Sequence, residues 1–190
     1  MNEKEALLVI EDMINNTKEE IKYNGFYYYM WGWLVLIAAV ATSIIVQFDL
    51  MEFNGLPWAI LMPLGGIITF ISSKRDRPVY VKTYVSQSFK IGIIAFSVSL
   101  FIVCFGMPMG HQWKAFYPTI MLIYAIWLFV SGGLLKFKPL QYGAALNWLL
   151  AFIGFIWPST QVHLILIAIG VLGGFIIPGH LLKSKAAQSV

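Results

Sequence analysis

The chain has 190 residues, of which 59% are apolar and 12% charged, with a mean hydropathy of +0.75; soluble domains carry about 45–50% and about 25%. So few polar side chains cannot cover a water-facing globule, which excludes a water-soluble enzyme, a disordered tail and a domain that reads nucleic acid in solution. The net charge of +4 comes with a single cysteine, Cys104, so the chain has no internal disulfide and no CxxC metal site.

Residues 1–26 form the first predicted element, an amphipathic cytoplasmic helix. Leu7, Ile10, Ile14, Thr17 and Ile21 recur at spacings of three and four and so share one helical face. Glu3, Glu5, Glu11, Asp12, Glu19 and Glu20 fill much of the rest. A helix that binds anionic headgroups is rich in Lys and Arg, so this one is expected to pack on protein. Its partner within the chain is the loop 73–90, where Lys74, Arg75, Arg77, Lys82 and Lys90 outweigh Asp76; a solvated helix at the interface is the alternative. The carboxylates preceding any long apolar run argue against a cleaved signal peptide. Asn24 and Gly25 supply a helix stop.

Six apolar runs follow, at residues 27–48, 56–72, 89–109, 116–133, 142–157 and 162–182, each long enough to cross a bilayer core as a helix. They lack the alternation that a transmembrane β-barrel needs. The predicted fold is therefore an all-α membrane protein: the amphipathic helix, then a bundle of six transmembrane helices over 27–182, then a short cytoplasmic tail at 183–190. With the N-terminus inside, all but Lys114 of the 13 basic residues fall on the inner side. This is the pattern of cytoplasmic loops, and it places both termini there. Tyr23, Phe26, Tyr27, Tyr28, Tyr29, Trp31 and Trp33 mark the inner headgroup level, and Trp58, Trp113, Tyr117 and Trp157 the outer one. Val81, Val85 and Phe89 suggest a short interfacial helix in the 73–90 loop. Leu64 to Ile68 and Leu172 to Ile176 are similar enough to raise an internal repeat, which five residues leave unproven.

No ionisable residue lies in the middle of a span. That pattern disfavours ion-coupled transport, intramembrane proteolysis and voltage sensing, all of which use buried charge. Ser97 and Ser99 are mid-span, whereas His111, His163 and His180 are near the surfaces, so no nucleophile and base pair up. His111 and His163 with Asp49 and Glu52 could make an outer metal or pH-sensing site; interfacial histidines without a role are the default. The spacings Gly106 to Gly110 and Gly170 to Gly174 suit close packing inside the bundle. One candidate binding site remains: Tyr124, Trp127, Asn147 and Trp148 at similar depth, with Ser131 continuing the Tyr124 face and with Gly143 and Ala151 leaving Asn147 room to reach a neighbour. It reads either as a pocket for an apolar or aromatic ligand with one polar handle, or as an interhelical hydrogen bond, with Tyr124 the first choice of partner.

The string Ile21-Lys22-Tyr23-Asn24-Gly25-Phe26 leads into Trp31-Gly32-Trp33-Leu34-Val35, and later come Leu135-Lys136-Phe137-Lys138-Pro139-Leu140 and Ile177-Pro178-Gly179-His180-Leu181-Leu182. Over most of its length the chain resembles uncharacterised small six-helix integral membrane proteins of Bacteroidota. The resemblance implies fold and location and brings no catalytic residues. The expected function is a non-enzymatic scaffold or sensor component of the bacterial inner membrane. The alternative is a small transporter or channel-like protein for an uncharged or aromatic solute. Expected partners are the lipid bilayer and a cytoplasmic protein, with a homo-oligomer left open; no nucleic acid, metal or cofactor is expected.

Overall fold

The computed structural model describes residues 3–75 and 84–188, with side chains for 25–74 and 87–184. Helix α1 spans Glu3–Gln47, α2 Leu56–Arg75, α3 Tyr84–Met109, α4 Trp113–Leu134 and α5 Lys138–Ile156. Helix α6, Thr160–Val171, passes through a π-helical turn, Leu172–Ile176, into α7, Ile177–Gln188. Among the described residues six helical stretches are long and apolar enough to cross a membrane, the sixth running through the π turn. The chain is a multi-pass, all-α membrane protein.

Packing divides the spans into a centre and two flanks. Helices α4 and α5 form a close antiparallel hairpin, and the sixth span lies against α5 and α1. Helix α2 rests mainly on α1, and α3 on α4. The α1 residues Gly25, Tyr28, Gly32, Val35, Ala39 and Thr42 are buried, a stripe at alternating spacings of three and four. Leu140, Gly143, Asn147, Leu150 and Gly154 repeat that spacing on α5. Glycines recur in both stripes because association in lipid depends on close van der Waals contact rather than on escape from water.

Three connections use the same device. Leu50 and Asp49 donate backbone N–H bonds to Ile45 and Val46, Gln112 and His111 to Met107 and Pro108, and Phe137 and Lys136 to Gly132 and Gly133. This is the paired Schellman pattern that closes helix C-termini, and its left-handed residue is usually glycine. Here Asp49, His111 and Lys136 occupy it, at φ 57°, 57° and 50°.

Several local expectations change. Gly25 lies inside the continuous helix Glu3–Gln47 rather than at a stop. A Cβ on it would come within 3.0 Å of the Lys183 backbone nitrogen and 3.2 Å of the Gly179 oxygen, so this glycine serves a helix crossing. Val85 and Phe89 belong to the opening turns of α3, with Phe89 buried, rather than to a separate interfacial helix. Leu64 to Ile68 are ordinary α-helix whereas Leu172 to Ile176 are the π turn, so the two similar strings do not share a conformation. The amphipathic face of residues 3–23 and the loop residues 76–83, on which acidic-to-basic docking depends, lie outside the described residues.

Candidate functional site

Asn147 is fully buried at the crossing of α5 with the sixth span. Its Nδ2 donates to the Gly143 carbonyl one turn earlier on α5, at 2.8 Å, and to the Gly170 carbonyl across the interface, at 3.0 Å. The expected interhelical bond exists, but its acceptor is backbone and not the Tyr124 hydroxyl. Glycine on both sides makes this approach possible. A Cβ at Gly170 would sit 2.6 Å from Asn147 Oδ1, and one at Gly174 would sit 2.6 Å from Nδ2. Asn147 Oδ1 is buried and has no hydrogen-bond partner, an arrangement that costs about 1–3 kcal/mol for a neutral acceptor.

The four candidate residues do not form one pocket. Tyr124 packs its ring against Phe96 of α3 and Phe175 of the π turn, at 6.2 and 5.1 Å between centroids. Trp127 packs against Phe89 and Phe96, at 5.1 and 5.3 Å, and fills the space that a Cβ on Gly92 would take. Trp148 turns to the outside of the bundle, 39% exposed, and pairs with Phe129. Helical geometry explains the split. Trp148 follows Asn147 directly, about 100° further round α5, so the two cannot share a face.

Tyr28, assigned to the inner aromatic belt on sequence grounds, is a core residue. It is 5% exposed, sets its ring at a tilt against Phe175 with centroids 6.0 Å apart, and has its hydroxyl buried. Phe89, Trp127, Phe96, Tyr124, Phe175 and Tyr28 thus form a continuous aromatic row from α3 to α1. Nothing local in the sequence separates Tyr28 from the aromatics on either side of it.

At the other end of the bundle, His163 is buried and its Nε2 lies 2.8 Å from the Gly154 carbonyl. It faces inward against Tyr117, which overturns its surface placement and removes it from a shared outer site with His111. Among the described residues no three His, Cys, Asp or Glu side chains come together as a metal site would require. Gln161 Nε2 donates to Ser43 Oγ and Thr42 Oγ1 to the Asn54 carbonyl, tying α6 and the first connection to α1. Ser99 Oγ donates to its own helix at the Ala95 carbonyl. Such back-bonding occupies a helical serine.

Set against family models, curated proteins and solved structures, the chain matches none.

Proposed function

We propose that this chain is a non-enzymatic scaffold or sensor component of a bacterial inner membrane, with both termini cytoplasmic, and that it engages a protein partner through its cytoplasmic face. The observation that carries this reading is the closure around Asn147. The amide donates to two backbone carbonyls and is flanked by Gly170 and Gly174 at contact distance. A solute cannot enter that space without parting α5 from the sixth span. The alternative transporter needs a polar path from this depth to both surfaces, and the aromatic row of Tyr124 and Trp127 is packed against protein instead. Opposite charge in residues 3–23 and 73–90 supports a cytoplasmic docking surface.

The test has three parts. In a Cys104→Ala background, single cysteines at Asn54, Gln112 and Ser159 should react with an impermeant thiol reagent applied to intact cells, while cysteines at Ser73 and Gln188 should not. Photo-crosslinkers at Glu19 and Glu20 should capture the loop around Lys82 or a protein partner, more weakly as salt screens charges beyond about 8 Å. Proteoliposomes should take up no aromatic solute; uptake that Asn147→Leu abolishes would establish the transporter instead.

A further inference from the structure

Among the described residues, the sixth span is the one that carries a π turn. Upstream, the Leu172 N–H reaches the Ala168 and Ile169 carbonyls; at the turn, the Ile177 N–H reaches back five residues to Leu172. A π turn holds one residue more than the α turn it replaces, and single π turns recur where helices move or bind. Asn147 holds this one from the α5 side by donating to Gly170, but its own Oδ1 receives nothing in return. From the other side α1 presses on it: a Cβ on Gly32 would lie 2.7 Å from Ile176 Cγ1 and 3.0 Å from Phe175 Cβ. One turn further, a Cβ on Gly179 would lie 2.7 Å from the Tyr29 backbone nitrogen.

We propose that the π turn Leu172–Ile176, held between Asn147 and Gly32, is a two-state joint whose conversion to ordinary α-helix turns α7 against α1. Conversion advances everything beyond the turn by about 100° and about 1.5 Å, so each place on α7 passes to the preceding residue. Leu181 takes the buried place of Leu182. Pro178 takes the place of Gly179, where no side chain fits against Tyr29, and α1 must shift to admit it. Motion of α1 and winding of the sixth span are thereby coupled in both directions. That the coupling carries a signal to a cytoplasmic partner rests on the scaffold or sensor reading; the joint itself does not.

Single cysteines replacing Leu181 or Leu182, in the Cys104→Ala protein in lipid nanodiscs, report the state through their rates with N-ethylmaleimide. With Asn147 intact, position 181, 46% exposed, should outpace position 182, 1% exposed. With Asn147→Leu the order should invert, the rate ratio moving by about tenfold or more as exposure is exchanged. An unchanged order in a folded Asn147→Leu protein overturns the joint. Deletion of Gly173 provides an independent arm. It removes the extra residue, so the turn closes as α-helix with α7 in place and the original order kept; an inverted order on deletion also overturns the proposal. Inversion with Asn147→Leu supports the joint whether or not the cytoplasmic crosslinkers find a partner, so the two readings fail separately.

Discussion

The third and fourth spans are packed neighbours, yet the more apolar of the two is the less buried. The most apolar stretch of α3 has no buried residue, and half of that of α4 is buried. A methyl group placed on Gly106 of α3 would meet nothing within 4 Å, and the same holds for Gly66 on α2, whereas a methyl on Gly143 of α5 would meet the Gly174 Cα at 2.6 Å. The same residue type is filler where a helix faces lipid and a requirement where it crosses protein, as at Gly143 in the centre and at Gly65 and Gly92 on the flanks. In water an apolar face announces a buried one, but in lipid an apolar face is satisfied by acyl chains as well as by protein. Tight packing at small residues, and not hydropathy, therefore marks the centre of this bundle.

The largest expected effect tests that centre. Gly143→Leu should destabilise the protein in detergent by about 3 kcal/mol or prevent assembly, because the side chain meets the backbone of Gly173 and Gly174 rather than the end of a flexible side chain; thermal unfolding or protease resistance reads this. Trp127→Ala should cost about 2–3 kcal/mol through the cavity left between Gly92, Phe89 and Phe96, and Trp148→Ala well under half of that. Equal losses at the two tryptophans would erase the distinction drawn between inward and outward faces. Lys136→Gly should stabilise by about 1 kcal/mol, since it relieves a left-handed conformation that costs a side-chain-bearing residue about that much. Smallest of all, Gly106→Leu should stay within about 0.5 kcal/mol, as surface changes usually do. A large loss there would mean that the exposed face of α3 is covered by something other than lipid, and chemical crosslinking in native membranes would then identify a second copy or a partner.

Much of the architecture follows from one-dimensional patterning. The sequence alone is enough for six spans and for the near-absence of charge from the bilayer, because the cost of placing charge or unpaired backbone in hydrocarbon falls residue by residue. It also placed Asn147 at an interhelical contact, since an amide in lipid needs an acceptor and Gly143 and Ala151 cleared the way to one. The Gly170 carbonyl as acceptor, the outward turn of Trp148, the burial of Tyr28 and His163 and the π turn of the sixth span come into view once the helices are packed together. Those choices depend on which apolar faces meet protein and which meet lipid. Residues equally soluble in both environments do not encode that distinction locally; it emerges when Gly32, Gly143, Gly170 and Gly174 let three helices close on one another.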